Sequence, residues 1–175
     1  PDMIVWDNPF WFTSYILVFT ALSAFGAHRI KVLYQFWKHR ANPPVPASQF
    51  AELPVITVQL PIFNELHVVG NLLRTVSALD YPRDRLQIQV LDDSTDETAA
   101  HAEKLAAELK AQGYDVDYRH RTNRNGFKAG ALDEAMAAAK GDYICIFDAD
   151  FQPQPDYLKK VIHHFTDPKV GMVQA

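Results

Sequence analysis

From residue 53 onward the chain alternates short apolar runs with longer stretches of helical period, and few folds accept that rhythm. The apolar runs span residues 55–60, 86–91, 116–120 and 143–147, with a further run at 170–174. Between them lie helical stretches at 66–79, 95–112, 128–140 and 156–165; the second is closed by Gly113 and the third by Gly141. Strand and helix in turn predict an α/β layered domain around a mainly parallel sheet. In such sheets ligands gather beyond the carboxyl ends of the strands. Polar clusters stand at those ends: Pro61-Ile62-Phe63-Asn64-Glu65, Asp92-Asp93-Ser94-Thr95-Asp96, the loop 123–128, and Asp148-Ala149-Asp150. The fold therefore predicts one rim on which most of them converge.

The first part of the chain is of another kind. Residues 10–27 carry no charge, and eighteen residues of helix rise about 27 Å, close to the thickness of a bilayer's hydrocarbon core. Trp6, Trp11 and Tyr15 stand near its start, where amphipathic rings favour the interface. Arg29, Lys31, Lys38 and Arg40 follow it, whereas Asp2 and Asp7 precede it. A signal peptide has the reverse charge order, so a transmembrane helix is expected, with residues after about 28 cytoplasmic. Thr13, Ser14, Thr20 and Ser23 suit contact with neighbouring helices, which implies a multi-pass parent. Residues 30–37 either lie along the membrane surface or continue the first helix. Pro43, Pro44 and Pro46 then break any helix. The expected division is a membrane helix with a basic flank over 1–41, a Pro-rich linker over 42–52, and the α/β domain over 53–175. The run at 170–174 reads as a strand interrupted in mid-course, so a longer polypeptide is expected.

Net charge excludes one class of partner. With 17 Lys and Arg against 21 Asp and Glu, the chain is at −4, and no nucleic-acid surface is expected. The single cysteine, Cys145, lies in an apolar run and reads as a buried hydrophobe. His163 and His164 are adjacent and diverge on a helix, so they are poor co-ligands.

Asp148 and Asp150 are two apart at a strand end, which points them to one side. Carboxylates held together repel unless a cation stands between them, and oxygen ligands suit Mg²⁺ or Mn²⁺. Such an ion bridges a diphosphate and neutralises a leaving group. Asp92 and Asp93 sit at an equivalent place, where a carboxylate accepts hydrogen bonds from a ribose hydroxyl or a base N–H. Ser94 and Glu97 have capping-box spacing and would start a helix at Thr95. Lys128 enters a helix behind a polar loop, a place that favours anions.

Four segments, in order, resemble the family 2 glycosyltransferases, in particular their cellulose-synthase-like membrane branch. They are Gln59-Leu60-Pro61-Ile62-Phe63-Asn64-Glu65, Gln89-Val90-Leu91-Asp92-Asp93-Ser94-Thr95-Asp96, Gly126-Phe127-Lys128-Ala129-Gly130-Ala131-Leu132 and Phe147-Asp148-Ala149-Asp150. The resemblance covers residues 53–175. It implies a GT-A (Rossmann-like) fold and an inverting, hexosyl-type transfer from UDP-glucose or GDP-mannose to a growing β-glycan in a bacterial inner-membrane type of protein. It also implies a nucleotide-sugar site made of Pro61, Asn64, Glu65, Asp92, Asp93, Lys128 and Asp148, with Asp148 and Asp150 holding Mg²⁺ or Mn²⁺. The family's general base lies in a T-E-D-type motif that these residues lack, so it is expected beyond Ala175. The fragment is then expected to bind a donor without transferring its sugar. Transfer of one sugar to a lipid acceptor, or a non-catalytic nucleotide-binding domain, are the alternatives.

Overall fold

The computed structural model describes residues 8–41 and 44–174. The expectations placed on Asp2, Trp6, Asp7 and Pro43 lie outside these residues. The chain forms two compact units, Pro1–Val45 and Pro46–Ala175.

The described residues of the first unit form one helix, α1 (Pro9–His39), of 31 residues. At about 1.5 Å per residue it is some 46 Å long. Its start is built by Asn8, whose Oδ1 accepts the N–H of Phe10 at 3.0 Å, and by Pro9, which needs no amide partner at the first position. Among its described residues none is buried, and it contains an 18-residue window of mean hydropathy 1.5. Residues 30–37 continue this helix without a break. Near its end the Arg40 guanidinium lies 3.9 Å from the ring centre of Trp37.

The second unit holds a four-stranded parallel sheet in the order β3-β2-β1-β4. The strands are β1 (Ile56–Ile62), β2 (Leu86–Asp92), β3 (Asp115–His120) and β4 (Tyr143–Ile146). Their crossovers are α2 (Leu66–Ser77), α3 (Thr98–Ala111) and α4 (Phe127–Met136), and α5 (Tyr157–Ile162) follows β4. The chain runs outward from β1 to β3, then returns through α4 to place β4 on the other side of β1. That reversal creates a crevice at the carboxyl ends of the strands, where α/β sheets bind ligands.

The two faces of β1 and β2 differ. Ile56, Val58, Leu60, Ile88 and Val90 join Val69, Leu72 and Leu73 of α2, Ala102 and Ala106 of α3, and Leu158 and Ile162 of α5 in one core. The alternate residues, Thr57, Gln59, Gln87 and Gln89, are also buried, yet polar. They lie under α4 and its continuation. Gln89 Nε2 donates to the Ala135 carbonyl at 3.1 Å, and Gln87 Nε2 to that of Ala138 at 3.1 Å. Gln59 Nε2 donates to Gln89 Oε1 at 3.0 Å. Leu91, Ala131 and Ala135 form a smaller apolar cluster on this side.

Three expectations change. Helix α3 starts at Thr98, not Thr95, because Ser94 is taken by a distant partner: its Oγ accepts the N–H of Asn64 at 2.9 Å. Asp96 accepts the Thr98 N–H instead, at 2.9 Å, and hydrogen bonding from Thr98 holds the exposed Asp96 carboxyl below the usual range. Residues 170–174 join no strand among the described residues. Helix α4 ends at Met136, short of Lys140, although Lys140 and Gly141 are still anchored by amide donation to Gln87 Oε1 and Thr57 Oγ1 at 2.8 Å each. Residues 48–50, upstream of β1, lie against the domain. Ser48 N–H donates to Thr166 Oγ1 and Phe50 N–H to His163 Nδ1, each at 3.1 Å.

Candidate functional site

A cleft of about 430 Å³ opens at the crevice beyond β1 and β2. Pro61, Glu65, Asp93, Lys128, Asp148 and Asp150 all line it, together with Phe63 and Arg124. Most of the residues singled out by the sequence thus meet on one rim. Asn64 and Asp92 stand behind it.

Asn64 takes a left-handed backbone, φ 53°, which asparagine tolerates better than most residues. Its Oδ1 accepts the Thr95 N–H at 2.9 Å, while its own N–H binds Ser94. The residue therefore staples the loop after β1 to the loop after β2. Asp92 is fully buried. Its Oδ1 accepts the Ser94 N–H and its Oδ2 the Tyr118 hydroxyl, both at 2.8 Å. Burial, then the hydrogen bond to Asp92, pushes the Tyr118 hydroxyl well above its ordinary range. Asp92 shapes the loop that presents Asp93.

Asp93 is held by a residue the sequence reading overlooked. Arg121 meets it with two parallel hydrogen bonds of 2.7 Å, the bidentate geometry that makes Arg–carboxylate pairs strong. The Asp93 carboxylate raises the Arg121 guanidinium further above its ordinary value. Arg121 also donates to the Phe127 carbonyl at 3.0 Å and to Glu134 of α4 at 3.0 Å. One nearly buried side chain thus ties β2, the polar loop and α4 together. A signal existed, since Arg121 directly follows β3 and stands at a strand end like the other clusters. Arg124, also overlooked, lies 3.3 Å from the ring centre of Phe63 and 4.0 Å from Asp93.

The polar loop turns tightly into α4. Gly126 has φ 71°, and Gly130 leaves no room for a side chain: a Cβ there would stand 2.0 Å from the Asn125 carbonyl oxygen. This close approach brings Lys128 to the cleft, where its ammonium pairs with Asp148. Strand β4 ends at Ile146, and the acids sit in a turn closed by Phe151 N–H to the Asp148 carbonyl at 2.9 Å. Their convergence comes from that turn and not from strand alternation. The Asp148 side chain is 63% exposed.

No cluster of three or more His, Cys, Asp or Glu suited to a metal occurs among the described residues. Two solvent-reaching carboxylates, with an ammonium already drawn to one of them, fit an ion of the Mg²⁺ or Mn²⁺ kind, which commonly takes one or two carboxylates and completes its shell with phosphate oxygens and water.

A parallel α/β sheet with an acidic, lysine-bearing rim at its switch point is a GT-A-like arrangement. The chain belongs to glycosyl transferase family 2, whose family model matches residues 57–175. It is 38% identical over 163 residues to a probable glucomannan 4-beta-mannosyltransferase of Oryza sativa subsp. japonica, covering 89% of this chain and 28% of the relative. It is 42% identical over 147 residues to a glucomannan 4-beta-mannosyltransferase of Arabidopsis thaliana, covering 81% of this chain and 27% of the relative. The chain thus spans little more than a quarter of these relatives. Among solved structures it resembles a mannosyltransferase from Pyrobaculum calidifontis in complex with GDP-Man and Mn²⁺, with 31% identity and a TM-score of 0.69 over 86% of this chain and 44% of that one. The family resemblance drawn from the four sequence segments and the α/β GT-A-type fold are both borne out.

Proposed function

We propose that this chain is the donor-binding part of a membrane-anchored, inverting glycosyltransferase that moves a mannosyl unit from GDP-mannose to a growing β-linked glycan. The observation that carries the reading is the single rim on which Asp93, Lys128, Asp148 and Asp150 meet. The kinship with mannosyltransferases favours GDP-mannose over UDP-glucose as the donor to test first.

Each rim residue has a chemical task in this reading. Phe63, with Arg124 stacked on it, offers an aromatic and cationic surface to the nucleobase. Asp93, oriented by Arg121, accepts hydrogen bonds from base or ribose. Asn64 and Asp92 act by fixing the loops that present Phe63, Glu65 and Asp93. Lys128 leaves Asp148 to neutralise a phosphate oxygen. Asp148 and Asp150 would hold Mg²⁺ or Mn²⁺, which when bound offsets charge on the departing diphosphate. The acceptor hydroxyl needs a base to take its proton, and none of the rim residues is assigned that task. Helix α1 anchors the protein in the membrane, with its basic end cytoplasmic.

Calorimetric titration of the full-length protein with GDP, with and without Mn²⁺, tests the site. Mn²⁺-dependent binding is expected, and Asp150→Asn is expected to weaken it by about tenfold or more, the usual scale for losing a charge-assisted contact. Full metal-dependent binding by Asp150→Asn would refute the assignment.

A further inference from the structure

The surface of α1 changes character along its length. Up to Ala27 it carries no charge, but from His28 onward the helix is two-sided. Ile30, Leu33, Tyr34 and Trp37 recur at intervals of three and four, so they form one stripe along the helix. At 3.6 residues per turn, Lys31 and Lys38 fall along one flank of that stripe, and Arg29 and Arg40 along the other. The stripe residues are all exposed. The Arg40 guanidinium, 3.9 Å from the ring centre of Trp37, ties one flank to the stripe. No Asp or Glu occurs from Asn8 to Ala51, so these cations have no acidic neighbour along this stretch of chain.

We propose that this two-sided end of α1 is a binding surface for anionic phospholipids, its apolar stripe seated against acyl chains near the headgroups and its flanking cations paired with lipid phosphates. The inference rests on the membrane-anchor reading of α1 and extends it from hydrocarbon to headgroup. Each part of the surface fits that partner. Tyr34 and Trp37 are the ring types that favour the interface, one end apolar and the other wet. Lysine and arginine stems lie along apolar surface while their charged heads reach outward, so cations flanking a stripe meet phosphates without leaving the interface. Clusters of Lys and Arg just beyond a membrane helix attract anionic lipid. Charge then selects among lipids. Cations without carboxylates nearby gain more from a net-anionic headgroup than from a zwitterionic one, whose own ammonium opposes them. A groove on another protein fits less well, because the stripe runs without a break into the uncharged residues 10–27, which suit hydrocarbon.

The test is native mass spectrometry of the full-length protein, titrated in detergent with phosphatidylglycerol or with phosphatidylcholine of the same acyl chains. The unsubstituted protein is expected to bind phosphatidylglycerol more tightly. Lys31→Gln, Lys38→Gln and Arg40→Gln together are expected to lower phosphatidylglycerol affinity by about fivefold or more and to leave phosphatidylcholine affinity unchanged. Lys104→Gln, Lys110→Gln and Lys169→Gln together remove the same charge from exposed positions of the second unit and are expected to change neither affinity. Where the α1 variant is not recovered, Lys38→Gln alone is compared with Lys110→Gln alone, and a selective fall of about twofold is expected. Equal affinity of the unsubstituted protein for the two lipids overturns the inference, as does a preference that the α1 variant keeps. An equal loss in the second-unit variant overturns it in favour of net charge alone. Loss of both lipids together overturns it in favour of an apolar contact, with lipid or with protein. Release of the unsubstituted protein from membranes by carbonate washing would remove the anchor reading itself, a result distinct from an anchored protein without lipid preference.

Discussion

Single residues at this rim act in pairs, and the pair most sensitive to change is Arg121 with Asp93. Their side chains are 9% and 5% exposed, so removing the guanidinium leaves a carboxylate with little water and only Arg124 at 4.0 Å as a counter-charge. Arg121→Ala is expected to destabilise the domain by about 3 kcal/mol, the usual cost of breaking a nearly buried ion pair from one side. A urea midpoint within error of the parent's would contradict this. Tyrosines give a second residue-scale expectation. Tyr81 donates to the Pro54 carbonyl at 2.6 Å, and burial pushes its hydroxyl up to about 12. A folded pKa above the unfolded value of about 10 adds stability that is complete below pH 10 and is lost as pH rises through 12. Stability should therefore fall between pH 10 and 12, with a shallower fall in Tyr81→Phe. At this scale the sequence revealed which acids matter but not their partners. Asp92 and Asp93 look alike in sequence and both are buried; their partners, Tyr118 of β3 for one and Arg121 just after β3 for the other, and the place of Asp93 in the cleft wall tell them apart.

Elements are placed by a polar layer that the strand pattern disguises. Thr57, Gln59, Gln87 and Gln89 alternate with apolar residues, a period that normally marks a wet face. Here α4 covers that face, and the glutamines supply amide donors to carbonyls near its end. Periodicity cannot distinguish water from a helix end as the partner of a buried amide, so this layer was not legible. The apolar face was, and with it the order of strands and helices. Gln89→Leu removes donors to Ala135 and Asp117 and the acceptor for Gln59, and is expected to cost about 2 kcal/mol, the scale of buried polar groups left unmade. The other end of α4 is set by Gly130. Because a Cβ there would overlap the Asn125 carbonyl, Gly130→Ala must push the loop off the helix. GDP affinity is expected to drop at least tenfold, while Gly113→Ala, at a φ of 88° far from the cleft, lowers stability and spares binding. Equal effects of the two on binding would show that the loop does not shape the site.

At the scale of the whole molecule, a helix of 31 residues with none buried cannot be explained by packing within its own unit. In water it would expose Phe10, Leu17, Leu22 and Phe25 at 66% or more each. Burying such surface in hydrocarbon is favourable, and about 20 residues suffice to cross. The helix is longer than that, and Lys31, Lys38 and, just past its end, Arg40 gather at its C-terminal side. On the proposed reading, this asymmetry puts the basic end of the anchor in the cytoplasm. Labelling decides the matter. Cys145 is a poor competitor, because burial pushes its thiol up to about 12 and leaves little thiolate at neutral pH. In the full-length protein, Lys38→Cys is expected to resist a membrane-impermeant maleimide on intact cells and to react once they are permeabilised, in excess of the unsubstituted protein. Reaction on intact cells would reverse the orientation. Release of the protein by carbonate washing would show that α1 does not span the bilayer at all.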